Sequence, residues 1–317
     1  MLTIPPFLQP GDTIAITCPA GFMPREKAQV CIDTLRTWGY RVVVGETLGG
    51  SSADYFAGTD RERLADLQRF LDDPQVGAIL FGRGGYGLSR IIDQIDFTSF
   101  AARPKWLIGF SDITILHAHI FSNYQIASLH APMAGAFNEG GAAVDSAPGG
   151  TSVPGGGYSP GVASLRHALA GGAADYSCGP TPFNRKGRAN GPLVGGNLTL
   201  LAHLVGSRSE IDTTGSLLVL EDVGEYRYNV DRMLRQLRRS GKLAGLAGLV
   251  IGGFTDMKDT TRPFGATVEE IIRDVVEDYA YPVCFGFPVS HGKENVALKI
   301  GVTHTLEVGD GGARLAE

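Results

Sequence analysis

The chain has 317 residues, a length that fits two domains of ordinary size. Hydrophobic residues make up 43% and charged residues 19%, enough apolar mass for packed cores. Lys and Arg number 28 against 33 Asp and Glu, and the resulting net charge of −5 argues against a nucleic-acid binder held by phosphate contacts. No window approaches ~20 consecutive apolar residues, so no membrane span is expected. Glycine is abundant at 44 residues, roughly twice average usage, which points to main-chain turns or close approach of backbone to a ligand.

From the start, Met1–Phe7 lacks the basic and apolar regions of a secretory signal. Cys18, Cys31, Cys178 and Cys284 are spaced for neither a zinc pattern nor a disulfide framework, so the expected location is cytoplasmic. Apolar, β-branched runs at Thr13–Thr17, Arg41–Val44, Val76–Phe81, Trp106–Phe110 and Gln125–Leu129 predict strands. Helices are expected between them, over about 24–38, 60–73, 87–95 and 112–122. Thr59 and the charged residues after it look like a helix start, and Leu64, Leu67 and Leu71 then follow at helical spacing. This alternation implies a parallel sheet covered on both faces, with ligands gathered at the carboxyl ends of its strands.

Residues 139–160 have no periodicity and little apolar bulk, and read as a mobile surface loop. A short helix near 163–169 and a polar connector over 172–190 follow. The second half offers helices near 198–205, 228–240 and 268–279, with strands near 217–220 and 249–252 and several short ones after Val283. The expected class is therefore α/β: an N-terminal parallel-sheet, Rossmann-like domain over 1–171, a connector, and a smaller β-rich α+β domain over 191–317.

Four segments could carry chemistry. In Gly109-Phe-Ser-Asp112 an apolar strand runs into a serine on a tight turn and leaves as a helix, which lifts the Ser111 hydroxyl above the sheet edge. Ile113 departs from the full G-x-S-x-G elbow, and a serine there equally serves as a helix cap. Gly82-Arg-Gly-Gly-Tyr-Gly87 matches G-x-G-x-x-G after a strand, which suits either a pyrophosphate or an oxyanion hole of bare amides. It follows the third expected strand, whereas the dinucleotide fingerprint normally occupies the first strand–helix turn. Glu221, at the end of Leu217–Leu220, either caps a turn or orients a histidine, and His291 is delivered to a glycine turn by Phe285–Ser290. Serine, carboxylate and imidazole all at strand-end turns are together more telling than any one of them. His117, His119 and His130 imitate metal ligands only in residue type, and no metal or cofactor is expected.

With these segments in view, the chain resembles the LD-carboxypeptidase family of serine peptidases, the muramoyltetrapeptide carboxypeptidases. The matching residues are Pro10–Ala15, Gly82–Gly87, Gly109–Asp112, His130–Met133, Leu193–Leu198, Leu220–Glu225, Asp231–Leu234 and Ser290–Gly292. The resemblance implies Ser111 as nucleophile, His291 as base and Glu221 as orienting acid, in a site formed between two domains of a homodimer. Glu225 is the fallback acid. It implies an acyl-enzyme route that removes the terminal D-alanine of murein tetrapeptide from the L-centre of meso-diaminopimelate. On that route the amides of Asp112 and Gly85 would form the oxyanion hole, while Arg83 and Gly84 would contact the peptide. Ser290 and Lys299 replace a glycine and a proline of the family pattern, and residues 139–160 look like an insertion. Competing readings are a hydrolase of microcin-type peptide–nucleotides, a dinucleotide-binding oxidoreductase using Gly82–Gly87, and a non-catalytic ligand binder.

Overall fold

The apolar runs of the first half become the central strands of a sheet. In the computed structural model, which describes residues 1–50, 52–139 and 158–317, the first half alternates strand and helix. In order these are β1 (Thr13–Thr17), α1 (Gln29–Thr37), β2 (Arg41–Val44), α2 (Asp60–Asp72), β3 (Val76–Phe81), α3 (Thr98–Ala102), β4 (Trp106–Gly109), α4 (Thr114–Tyr124), β5 (Ser128–His130) and α5 (Pro160–Leu169). The second half supplies β6 (Asp175–Cys178), β7 (Gly187–Asn197), α6 (Leu198–Leu204), β8 (Leu217–Val223), α7 (Arg227–Arg239), β9 (Gly248–Thr255), α8 (Val268–Val275) and β10 (Val283–Cys284). It ends with β11 (Leu298–Ile300), β12 (Thr303–Gly309) and β13 (Gly312–Ala316). Most of the segment expected as a loop, residues 140–157, lies outside the described residues.

The first sheet has the order β11-β5-β4-β3-β1-β2 and is parallel except for β11. Its inner strands β1, β3 and β4 are almost wholly buried, which is why they read as continuous apolar runs rather than alternating ones. Burying each Ile or Leu there contributes ~2 kcal/mol. Thr59 starts α2 as its sequence suggested. Its hydroxyl accepts from the Glu62 N–H at 3.2 Å, while Glu62 Oε2 accepts from the Thr59 N–H at 2.8 Å.

The second sheet runs β10-β9-β8-β7-β12-β13-β6. Its β10 to β7 portion is parallel and the remainder antiparallel. It curls far enough for its two outer strands, β6 and β10, to approach one another at Cys178 and Cys284.

Several expectations need correction. The helix expected over 87–95 is instead two 3-10 turns, Leu88–Arg90 and Ile92–Gln94. The Leu88 N–H is drawn to the Asp112 carboxylate at 2.9 Å, and Ile91, at φ −121°, breaks the helical path. The strand expected from Gln125 begins at Ser128, because Gln125 ends α4 in the left-handed region at φ 52°. The segment 172–190 holds β6 and the start of β7, and β11 returns from the second half to pair with β5.

The two halves share one core. Leu107 and Ile115 from the first half pack in the same apolar cluster as Val194, Leu198 and Leu218 from the second. At this seam the Thr114 hydroxyl accepts from the Asn197 N–H at 3.1 Å. Gly196, at φ +134°, comes so close that a Cβ there would lie 2.6 Å from Thr114 Oγ1. Gly196→Ala should therefore destabilise the protein by about 3 kcal/mol in urea unfolding. A variant as stable as the parent would show that the seam yields freely.

Candidate active site

The sequence around Ser111 dictates an unusual turn. Strand β4 ends at Gly109, where a Cβ would stand 2.9 Å from Ile113 Cγ1 and 3.2 Å from the Phe81 ring, so only glycine fits. Phe110 is extended, and Ser111 is then forced to φ 63°, a conformation that is strained for a residue with a side chain. A 3-10 turn, Ser111–Ile113, leads into α4. Strain of this kind accompanies hydroxyls presented at the top of a sheet, and no side-chain capping bond from Ser111 or its neighbours starts the turn.

The Gly82–Gly87 loop lies against this turn. A Cβ on Gly84 would come within 2.9 Å of Ser111 Cβ, 3.1 Å of Ser111 Oγ and 3.3 Å of the Asp112 amide nitrogen. The bare glycine thus leaves open the space above the hydroxyl and the amide beside it. Gly85 adopts φ +99° and is exposed. The loop runs into a three-residue 3-10 turn rather than an α-helix. It therefore lacks the helix N-terminus on which a pyrophosphate rests in dinucleotide sites.

Asp112 fastens the loop to the Ser111 turn. Its side chain is fully buried, with Oδ2 accepting from the Leu88 N–H. Burial pushes its pKa up to about 6, only partly opposed by that hydrogen bond and by the Arg63 charge. Arg63 is itself buried and donates to the carbonyls of Pro19, Gly58 and Gly87, tying three loops behind the site, and to Asp60 on its own helix. Neither residue announced this in the sequence, although a charged residue on the buried face of α2 was a signal.

Glu221 and His291 arrive from the second half. Opposite Glu221 the β8–β9 ladder slips: Leu220 faces Ile251 and Asp222 faces Phe254, leaving Gly252 and Gly253 bulged. A Cβ on Gly252 would meet the Val289 carbonyl oxygen at 2.1 Å, so glycine there lets the His291 segment lie against β9. His291 Nδ1 donates to Glu221 Oε2 at 2.6 Å. Glu221 is buried, and desolvation raises its pKa against the opposing pull of His291. His291 Nε2, on the far side of the ring, has no hydrogen-bond partner, so its bond to Ser111 is not formed in this structure. The Phe110 ring, next to Ser111, packs 4.8 Å from the His291 ring and joins the two halves of the site.

A cavity of about 200 Å³ opens here, lined by Arg83, Phe110, Met133, His291 and Lys293 among others. Arg83 is exposed and donates to the Phe22 carbonyl at 2.9 Å, leaving further N–H groups free. Lys293, two residues past the histidine, is a second cation at the rim that sequence reasoning missed.

Other expected residues lie elsewhere. Glu225 accepts from Asn229 Nδ2 at 2.9 Å rather than from the imidazole. Ser290 shapes the His291 turn by accepting from the Gly292 N–H at 3.0 Å. Lys299 is buried away from the cavity, pairing with Glu317 at 2.8 Å. His117 donates to the Gly109 carbonyl at 2.8 Å, bracing the end of β4, and burial lowers its pKa to about 4. His119 bonds Ser209 and His130 bonds Asn295, and among the described residues no cluster suited to a metal ion exists.

A two-sheet α/β fold that sets a strained serine turn, through Phe110, against an imidazole paired with a buried carboxylate has the architecture of a hydrolytic enzyme. Residues 14–131 match the LD-carboxypeptidase N-terminal domain, and residues 190–306 match the LD-carboxypeptidase C-terminal domain. The chain belongs to the LD-carboxypeptidase family and is a hydrolase. It is 32% identical over 303 residues to the murein tetrapeptide carboxypeptidase of Pseudomonas aeruginosa, covering 94% of each chain. The crystal structure of muramoyltetrapeptide carboxypeptidase from Oxalobacter formigenes superposes with a TM-score of 0.81 at 27% identity, covering 96% of this chain and 98% of that one. A more distant relative is the microcin C7 self-immunity protein MccF of Escherichia coli, 23% identical over 329 residues, or 94% of this chain and 91% of that protein.

The buried Asp112 makes a testable contribution to stability. Its folded pKa of about 6 lies above the ordinary 3.8, so the folded protein binds the proton more tightly than the unfolded chain does. The stabilisation is complete below about pH 4 and is lost as pH rises through about 6, amounting to about 3 kcal/mol. Asp112→Asn keeps a hydrogen-bond acceptor but does not titrate. Urea unfolding from pH 4 to 7 should show the parent losing that much more stability than the variant, and parallel curves would contradict a buried, proton-holding Asp112.

Proposed function

We propose that the protein is a serine carboxypeptidase that removes the terminal D-alanine from murein tetrapeptide by hydrolysing the L,D-bond. The observation that carries this reading is the 2.6 Å contact between His291 Nδ1 and a buried Glu221, with Nε2 left unpartnered on a ring that packs against Phe110 of the Ser111 turn. Glu221 holds the imidazole in the tautomer whose Nε2 lone pair accepts a proton, and it stabilises the imidazolium that results. Ser111 Oγ attacks the amide carbonyl as its proton passes to His291 Nε2. The amides of Asp112 and Gly85 bind the tetrahedral oxyanion. As the C–N bond breaks, His291 returns the proton to the departing D-alanine amine. Water, deprotonated by the same imidazole, then releases the acyl group.

The leaving group carries a free carboxylate, and Arg83 at the cavity rim is assigned to it, with Lys293 as a second cation in reach of the same mouth. A peptide–nucleotide substrate would call for an aromatic clamp. Among the described residues lining the cavity the one Phe, Tyr or Trp is Phe110, and its ring already packs on His291 and His130. This favours a peptide without a nucleobase. The domain bounds 1–171 and 191–317, a cytoplasmic location and a homodimeric state belong to the same proposal.

Incubation with murein tetrapeptide followed by mass spectrometry should show loss of one alanine, and an unchanged peptide would remove the named substrate. Ser111→Ala should lower kcat on the order of 10⁶-fold while the protein stays folded. Activity that survives this change nearly intact would sink the serine assignment. Gly84→Ala should lower kcat by about 10²–10³-fold with little change in Tm, because its methyl would intrude on Ser111 and the Asp112 amide. An undiminished kcat in that variant would exclude this amide from the oxyanion hole.

A further inference from the structure

The two thiols at the edges of the second sheet stand apart from the chemistry above. Cys178 ends β6 and Cys284 ends β10, the outermost strands on opposite sides of a seven-stranded sheet. Because the sheet curls, the sulfurs lie 3.4 Å apart. The same seam carries backbone pairing, since Arg185 and Val283 bridge with N–H to carbonyl distances of 2.9 and 3.0 Å. Both thiols are free, Cys178 being partly exposed and Cys284 buried. They are separated by 106 residues in sequence, so a bond between them would close a long loop.

We propose that Cys178 and Cys284 form a reversible dithiol–disulfide site, oxidised by hydroperoxides, that staples the two outer strands of the second sheet together. Cys178 meets the oxidant first, because it is the accessible member of the pair. Its thiolate attacks the peroxide, the O–O bond breaks, and Cys178 becomes a sulfenic acid as water or an alcohol departs. The Cys284 sulfur then attacks Cys178 Sγ, the S–O bond breaks, and a second water leaves with the Cys284 proton. Two thiols lose two electrons and two protons in all, and the peroxide accepts them. The division of labour follows from the local chemistry. The hydrogen bond from Cys284 holds the Cys178 thiol below its usual value, whereas that same contact and burial push Cys284 up. A disulfide needs the sulfurs ~2.05 Å apart, so closure asks for a shift of only ~1.4 Å.

The site is joined to His291 by the chain itself. The segment from Cys284 to His291 is the one that delivers the imidazole, anchored by the Phe287 N–H on the Ile251 carbonyl at 3.0 Å. The staple would therefore fix the root of this segment to the far edge of the sheet. Cys18 and Cys31 serve as internal controls. Both are buried, burial pushes their thiols up (Cys18 to about 12), and they sit in the other half of the molecule.

The test treats the intact reduced protein with hydrogen peroxide and then counts thiols after denaturation. The expected outcome is loss of two of the four thiols and a mass lower by about 2 Da, with the 178- and 284-containing peptides linked in a non-reducing map. Dithiothreitol should restore all four thiols. The oxidised form should melt on the order of 5 °C above the reduced one, as a long closed loop predicts. A Cys178→Ser variant should gain neither the link nor the rise in Tm. Four surviving thiols, links through Cys18 or Cys31, or Cys178 driven to sulfinic acid with Cys284 still free would each overturn the site. A link that leaves Tm unchanged would overturn the staple.

Discussion

A carboxylate shut away from water and an imidazole 2.6 Å from it set the terms for the rest of this molecule. An ionised glutamate in such a place costs several kcal/mol unless it is paired, and His291 is its partner. The pairing in turn fixes which imidazole nitrogen faces the cleft. To make it, β9 must bulge at two glycines so that the Phe285–His291 segment can lie close against it. The arrangement costs regular ladder pairing at one residue and gains an oriented imidazole.

Ser111 is held by the complementary device, a strained backbone rather than a buried charge. Ser111 keeps its left-handed φ because the turn is enclosed from several sides. Gly84 lies over the hydroxyl, Asp112 grips the Leu88 amide, and His117 braces the last carbonyl of β4. Arg63 performs the same service one layer back by collecting carbonyls from separate loops. The side chains of Arg63 and His117 need not touch a substrate to do this. Together they let one serine sit in a conformation its side chain disfavours.

Much of the fold was legible because its signals are local. The Thr59 cap, the buried strands of the first sheet and the strand-to-helix turn at Ser111 all follow from residues within a few positions of each other. What escaped the sequence depends on distant partners. The helix expected after Gly87 fails because an amide is claimed by Asp112, 24 residues away. The pairing of β11 with β5 and the diversion of Lys299 to Glu317 likewise have no local signature. Within the site, Glu221 is preferred to Glu225 through the family resemblance, and the β-bulge beside it is something no spacing reveals. Gly84 and Gly196 matter for what approaches them, which a glycine letter does not disclose.

The antiparallel strand β11 ties the two halves topologically. Residues 298–300 leave the second half, complete the edge of the first sheet at Ser128–His130, and return to β12. During synthesis the first sheet therefore waits, with one border unsatisfied, until residues 298–300 have emerged. An open border of that kind invites pairing with other chains. The two halves are thus poorly suited to separate expression, and nascent chains of this architecture would gain from a chaperone that shields β5 until its partner arrives.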